Sequence, residues 1–225
     1  MLGTYRGYDW SVDATITNVF ATAAMRFGHT LVNNDLIKQS AAHIRLNTLG
    51  AMKLRKLFFA SHLLYQPEIV DSIMLGLLAM PLKQPKPEQA INSELTEHLF
   101  ELSRHVPLDL ASINIQRGRD HALPSYNQWR KFCRLKMANT FEDLANEIKN
   151  SDIRAKLKEL YGSPDNIDLW VGAIMEEAEI DDGAKVGPTF RCLLVDQFRK
   201  LRDGDRYFYQ VLKFNNQQYR DKNIV

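Results

Sequence analysis

The sequence predicts a mainly α fold with very little β structure. Apolar residues recur at three- and four-residue spacing through most of the chain, which indicates helices packed on a core. Prolines and capping residues bound these periodic stretches. No alternating pattern typical of a strand extends beyond one or two residue pairs. With 225 residues, of which 45% are hydrophobic, the chain is long enough for one domain with a sizeable core.

Four helices are predicted in the first half of the chain. They run from Asp13 or Thr15 to about Leu31, from Pro67 to Pro81, and over residues 93–102 and 108–119. The first has a capping residue at its start and an apolar residue every three or four positions. Proline suits the first turn of a helix and cannot continue one, which sets both limits of the second. A polar, proline-rich loop at residues 83–88 separates the second helix from the third.

The second half of the chain is predicted to hold five shorter helices. They cover residues 126–135, a segment that opens at Thr140, residues 152–161 and 166–178, and a segment from Pro188 to about Leu201. Ser125 can cap the first of them, and the segment at Thr140 has a capping-box pattern. A turn at residues 203–205 follows the last helix.

Composition and motifs exclude several classes of function. A net charge of +2 gives no general electrostatic case for nucleic acid binding, and no apolar run approaches the ~18 residues of a membrane span. The first residues lack the apolar core of a signal peptide, which by itself favours a cytosolic protein. The signature sequences of serine hydrolases, zinc proteases, P-loop proteins and dinucleotide-binding folds are missing.

Two charged stretches are interpreted as structural. The acidic residues between Glu176 and Asp182 do not have the spacing of a calcium loop, and we expect them to be solvated surface. Residues 198–206 alternate in sign, which favours a local network of salt bridges over an anion site.

His29 is the first candidate site residue. Arg26 precedes it by one helical turn, and Gly28 removes a side chain where a flat cofactor would need close approach. Neutral imidazole is a favoured axial ligand of haem iron. The alternative is that the side chain of His29 only packs in the core or is solvated, which is the commoner situation for a lone histidine on a helix.

Asn114 is the second candidate, within an otherwise apolar stripe of the helix at residues 108–119. If it is buried, its amide must be satisfied, and its oxygen could accept the Nδ1–H of a metal-binding histidine. The residues alone favour the other interpretation, an amide that joins two packed helices.

Arg26 and Arg117 lie on the same stripes as His29 and Asn114. Haem carries two propionates, and arginine binds carboxylates through two parallel hydrogen bonds. The alternative is salt bridging to nearby aspartates. For Arg119 and Asp120, which lie off the stripe, we favour that structural role.

Cys133 and Cys192 are too few for a disulfide scaffold and lack the spacing of a zinc site. The residues themselves leave two possibilities open, a pair of buried thiols or one bridge.

Four segments resemble the animal haem peroxidases, above all the peroxidasin, peroxinectin and myeloperoxidase group. They are residues 20–31 (FATAAMRFGHTL), 108–127 (LDLASINIQRGRDHALPSYN), 186–192 (VGPTFRC) and 197–206 (QFRKLRDGDR). The segments are long and occur in the family's order, so the resemblance extends over nearly all of the chain. It implies the multi-helical fold of the peroxidase domain.

The resemblance also implies a role for each candidate residue. His29 matches the proximal axial ligand of haem b, and Asn114 matches the asparagine that binds this histidine. Arg26 and Arg117 match the arginines near the propionates. Cys133 and Cys192 match a disulfide pair, and the resemblance implies a secreted or extracellular protein with a possible association with the extracellular matrix.

The chain departs from the family in what it lacks. We expect residues 1–225 to be a partial catalytic domain, the proximal half, because the distal histidine, the calcium loop and the catalytic arginine have no counterpart here. The family's C-terminal stretch beyond Arg220 also has no counterpart. Met25 replaces a common phenylalanine, and Ala122 replaces a common glycine, which could strain a backbone that needs positive φ.

The function implied is that of a haem peroxidase, an oxidoreductase that uses hydrogen peroxide to oxidise a halide or a small organic donor in the response to oxidative stress. In this reading the chain supplies the haem-binding half and no distal catalytic residue. The alternative is a remnant of a peroxidase without catalytic competence, which binds haem or serves a structural or adhesive role.

Overall fold

Helices form nearly all the regular structure in the computed structural model, which describes residues 3–40, 48–81, 83–104, 106–178 and 183–210. The prediction of a mainly α fold with very little β structure is confirmed. The chain divides into two compact units, one of Phe27–Arg117 and one of Met1–Arg26 with Gly118–Val225. None of the described helices is long and apolar enough to cross a membrane.

The unit Phe27–Arg117 contains an antiparallel hairpin that the sequence did not predict. Strands β1 (Asp35–Gln39) and β2 (Thr48–Lys53) pair with Asp35 opposite Lys53, and these two side chains form an ion pair of 3.0 Å. Helix α2 (Ile69–Ala79) packs on β1. Gly76 makes this close approach possible, because a Cβ there would overlap the carbonyl oxygen of Ile37.

Helices α3 (Ser93–Thr96) and α4 (Leu110–Asp120) follow in sequence. Buried side chains of this unit include Ile69, Leu95 and Leu99. The predicted helix at residues 93–102 is wrong beyond Thr96, since Leu99 bridges to Leu108 and Phe100 has a φ of 61°. A left-handed residue cannot continue a right-handed helix.

The other unit contains α1, α5, α6, α7 and α8, which cover Asn18–Thr22, Tyr126–Phe132, Ser151–Tyr161, Leu169–Met175 and Pro188–Asp203. Its core includes Leu144, Ile148, Ile167, Trp170 and Phe190, all almost fully buried. The predicted start at Pro188 is confirmed, as is the capping box of Thr140 with Asp143, which opens a short 3-10 helix, Phe141–Leu144.

The predicted helix from Asp13 or Thr15 to Leu31 is wrong in its start and its continuity. Thr17 caps α1 by accepting the N–H of Phe20, and α1 ends at Thr22. A 3-10 helix, Ala24–Leu31, then continues the chain. The apolar stripe indicated a helical period but could not distinguish the α from the 3-10 geometry.

A disulfide joins Cys133, at the end of α5, to Cys192 in α8, with their Cα atoms 5.9 Å apart. The bridge that the resemblance implied is therefore present, and the alternative of two thiols is wrong. Ala122, where the family commonly has glycine, has a φ of 51°. The backbone at this position thus takes the left-handed conformation that glycine adopts most easily.

The interpretation of Glu176 as solvated surface is wrong. Its carboxylate is buried and accepts hydrogen bonds from the Tyr126 hydroxyl (2.7 Å) and from the N–H and hydroxyl of Thr189 (2.8 and 2.6 Å). These donors replace water and make the burial of a carboxylate tolerable. Burial nevertheless raises the pKa of Glu176, although Thr189, Tyr126 and Arg130 act against it. Residues 179–182 of the same acidic stretch lie outside the described residues.

The stretch at residues 198–206 forms local salt bridges, as predicted: Arg202 pairs with Asp203 at 2.7 Å. Arg199 and Lys200 pair instead with Asp196, which precedes the stretch, at 3.0 and 2.7 Å. Arg119 forms two parallel hydrogen bonds to Asp168, of 3.0 and 2.7 Å.

Candidate functional site

His29 and Asn114 lie within hydrogen-bond distance although 85 positions separate them in the sequence. The amide nitrogen Nδ2 of Asn114 is 2.9 Å from Nδ1 of His29. Both residues belong to the unit Phe27–Arg117. The Asn114 side chain is fully buried, whereas His29 is partly exposed. The structure thus brings together a partly exposed histidine and a buried amide that can orient its ring.

Local structure explains how each side chain is presented. His29 is near the end of the 3-10 helix Ala24–Leu31, in which residues three apart lie above one another. Asn114 is in the middle of α4 and is the buried residue of that helix. Gly28 faces open space, since a Cβ there would meet no atom within 4 Å among the described residues.

The tautomer of His29 depends on which amide atom of Asn114 faces it. With Nδ2 facing the ring, the amide N–H donates to Nδ1 and the ring proton is on Nε2. Rotating the amide by half a turn exchanges the oxygen and nitrogen, which are nearly equal in size. The ring then donates from Nδ1, and Nε2 carries the lone pair that a metal requires. Either orientation of the amide keeps a hydrogen bond to Nδ1 of His29.

The two predicted arginines have different surroundings. Arg26 belongs to the other unit, where its Nε donates to the carbonyl of Ala21 at 3.3 Å. Arg117 is exposed on α4, and no carboxylate of the described residues forms an ion pair with it. Its guanidinium can therefore accept an anionic partner.

Two further residues of the unit that contains Arg26 were not predicted from the sequence. The indole N–H of Trp170, a buried side chain, points to the carbonyl of Arg26 at 3.5 Å. His121 forms a second histidine–asparagine pair, with its Nδ1 2.8 Å from Oδ1 of Asn18 and 3.3 Å from the Thr22 hydroxyl. His121 stands in one of the recognised motifs, but neither motif nor spacing indicates Asn18 as its partner.

The residues present fit an axial ligand of haem better than a metal held by side chains alone. The described residues contain no group of three or more His, Cys, Asp or Glu side chains that could hold a metal ion. An iron porphyrin needs a single protein ligand on one face, with an outer hydrogen bond to fix that ligand. His29 with Asn114 supplies both.

Comparison with known proteins gives a consistent family. The family described as Animal haem peroxidase matches residues 1–224. Peroxidasin of Drosophila melanogaster is 51% identical over 210 residues, and thyroid peroxidase of Sus scrofa is 44% identical over 209 residues. Each match covers 93% of this chain but only 14% and 22% of the respective relative. The chain therefore spans less than a quarter of the length of these relatives.

Solved structures agree on the fold. Peroxidase A from Dictyostelium discoideum superposes with a TM-score of 0.81 and 31% identity, over 95% of this chain and 39% of that chain. A fatty acid alpha-dioxygenase of Oryza sativa superposes with a TM-score of 0.67 and 18% identity, over 91% of this chain and 34% of that chain. Because the dioxygenase is only 18% identical, its similarity shows a shared fold and nothing further.

Proposed function

Because the chain belongs to the animal haem peroxidase family, we propose that its 225 residues form the proximal, haem-binding part of a peroxidase domain. In this proposal His29 is the axial ligand of the iron. The observation that carries it is the 2.9 Å contact between the ring of His29 and the fully buried amide of Asn114. A buried amide in that position supports a histidine of fixed orientation, which ligation requires.

The two residues act on the ring nitrogens. Asn114, with its oxygen toward the ring, accepts the Nδ1–H and directs the lone pair of Nε2 outward. An amide is a weaker acceptor than a carboxylate, so it raises the basicity of His29 only moderately. Arg26 and Arg117 bind the propionate carboxylates, for which the guanidinium fork is suited. Haem, when bound, supplies the redox centre that reduces peroxide and oxidises a donor.

The proposal extends to the whole protein. The substrates are hydrogen peroxide and a small reducing donor, a halide or an organic molecule, and the process served is the response to oxidative stress. The Cys133–Cys192 disulfide supports a secreted protein, because disulfides persist in oxidising compartments. Calcium binding in the wider domain and association with the extracellular matrix rest on the family resemblance alone.

Haem uptake tests the proposal directly. Titration of the 225-residue chain with ferric haemin is expected to give a Soret band of a histidine-ligated haem, which His29→Ala removes. His121→Ala is the matched control, because His121 also contacts an asparagine but is exposed. Folded wild-type protein that takes up no haem, or equal loss in both variants, would contradict ligation by His29.

Peroxide turnover tests the division of roles within the domain. In this proposal the distal residues lie outside the 225 residues, so the haem-loaded chain is expected to oxidise a phenolic donor no faster than free haemin does. Turnover well above free haemin, lost in His29→Ala, would contradict the claim that catalysis requires the rest of the domain.

A further inference from the structure

Three backbone carbonyl groups surround the ammonium group of Lys83. Its Nζ donates to the carbonyl oxygen of Thr30 at 2.9 Å and to those of Gln89 and Ala90, each at 3.0 Å. A lysine ammonium has three N–H donors and no acceptor, so these three carbonyls satisfy the charged form completely. Burial lowers the pKa of Lys83, because the ammonium loses water there. The carbonyl oxygens take the place of that water.

One of these carbonyls belongs to the residue directly after the proposed haem ligand. Thr30 follows His29 in the 3-10 helix Ala24–Leu31. The last carbonyls of a helix have no partner inside it, and a lysine side chain can supply one. This helix has eight residues, whereas 3-10 helices longer than about four residues are uncommon because their hydrogen bonds are poorly aligned. Its C-terminal end therefore gains from partners elsewhere in the chain.

The segment after His29 is bound at two further points. Nδ2 of Asn92, a buried side chain, donates to the carbonyl oxygen of Val32 at 2.7 Å. The backbone N–H of Lys83 donates to Oδ1 of Asn33 at 3.2 Å. All of these residues belong to one compact unit. The backbone that leaves the histidine is thus fixed by Lys83 and by the chain that follows it.

We infer that Lys83 is a positioning residue for His29, which fixes the backbone of the ligand while Asn114 fixes its ring. A hydrogen bond to the ring keeps its geometry only if the backbone that carries the ring stays in place. The inference rests on the proposed function, in which His29 ligates haem iron. The competing role for Lys83 is purely structural: it would stabilise the fold without any effect on the ring of His29.

NMR of the haem-free 225-residue chain with isotope-labelled histidine tests the inference. The ring signals of His29 are identified by their loss in His29→Ala, and Asn114→Leu shows how they move when the amide contact is removed. Lys83→Met keeps the apolar stem but removes the ammonium, and we expect it to move the His29 signals in the same direction as Asn114→Leu does. Lys86→Met, at an exposed lysine of the same loop, is the matched control and should leave them unchanged.

Two results would overturn the inference. One is a folded Lys83→Met protein whose His29 ring signals stay at their wild-type positions, as a purely structural lysine predicts. The other is an equal change in both lysine variants. Lys83→Gln is the milder variant if Lys83→Met does not fold, because its shorter side chain has two N–H donors and cannot serve three carbonyls. Unchanged ring signals in folded Lys83→Gln would overturn the inference equally.

Haemin titration separates this inference from the proposed function. We expect Lys83→Met to lower haem affinity about tenfold, at the lower end of the effect of groups that orient a metal ligand, and Lys86→Met to leave it unchanged. Altered ring signals with unchanged haem affinity would overturn the positioning of a ligand by Lys83. A wild-type chain that takes up no haem, while its ring signals still respond to Lys83→Met, would contradict the proposed function alone.

Discussion

Each of the two units contains a histidine beside an asparagine, and the two pairs differ in burial. In Phe27–Arg117 the amide of Asn114 is fully buried against His29, whereas Asn18 and His121 in the other unit are both exposed. Water competes for the hydrogen bond of an exposed amide but not for that of a buried one. A histidine is thus held in one orientation by the burial of its partner, and the residue types alone do not decide it.

The buried glutamates of the two units differ in a similar way. Glu94 accepts hydrogen bonds from the Arg55 side chain, of 2.5 and 2.9 Å, and the pKa of Glu94 is lowered chiefly by them. Arg130 stays 3.6 Å from Glu176, and there burial dominates and raises the pKa. An arginine in direct contact outweighs desolvation, and a more distant one does not.

The largest effect is expected from the disulfide, which only one unit contains. Replacing both Cys133 and Cys192 by Ala frees a loop closed over 59 residues, so we expect the free energy of unfolding to fall by about 4 kcal/mol. Amide hydrogen exchange should show lost protection in α5 and α8, with Phe27–Arg117 largely unchanged. An equal loss in Phe27–Arg117 would show that the two units unfold together.

The next largest effect concerns the asparagines. Asn114→Leu removes the orienting amide at similar volume, and we expect haem affinity to fall about 10- to 100-fold. Asn18→Leu is the matched control and should leave haem affinity unchanged. Haemin titration followed at the Soret band measures the haem affinity of both variants. Equal losses of affinity would show that the buried amide of Asn114 matters no more than the exposed amide of Asn18.

The two glutamates should give opposite pH dependences. The lowered pKa of Glu94 means that its contribution to stability is present above its unfolded pKa of about 4.3 and is lost as pH falls through the folded value. Glu176 has a raised pKa, so its contribution is present below about pH 4.3 and declines as pH rises toward the folded value. Urea unfolding followed from pH 8 down to about pH 2 is expected to show that Glu94→Gln weakens the loss of stability on the acid side.

Glu176→Gln should instead weaken the decline in the free energy of unfolding as pH rises. Each variant is the control for the other, because both remove one buried carboxylate. The same change of pH profile in both variants would show that their surroundings do not differ as described.

The smallest effect is expected at Ala122, which follows His121 of the exposed histidine–asparagine pair. Ala122→Gly relieves a left-handed alanine, and we expect the free energy of unfolding to rise by about 0.5–1 kcal/mol. Ala155→Gly, at an exposed position inside α6, should lower it by a similar amount. Thermal denaturation distinguishes the two, and a loss of stability in Ala122→Gly would mean that its backbone conformation is not strained.

Local sequence was enough to predict the features that depend on neighbouring residues. The helical class, the capping box of Thr140, the start at Pro188 and a salt bridge within residues 198–206 follow from residues within one or two turns. His29 and Arg26 could be proposed for the same reason, since a spacing of three places them on one side of a helix.

The features that join distant segments depend on the tertiary structure. It placed Asn114 on His29 across 85 positions and Asn18 on His121 across 103, paired β1 with β2, and buried Glu176 against Tyr126 and Thr189. Burial and hydrogen-bond partners depend on how whole elements pack, and local spacing carries no information about which element arrives opposite. For that reason the residues alone left the role of Asn114 open between two interpretations, the family resemblance implied its contact with His29, and the folded chain shows that contact.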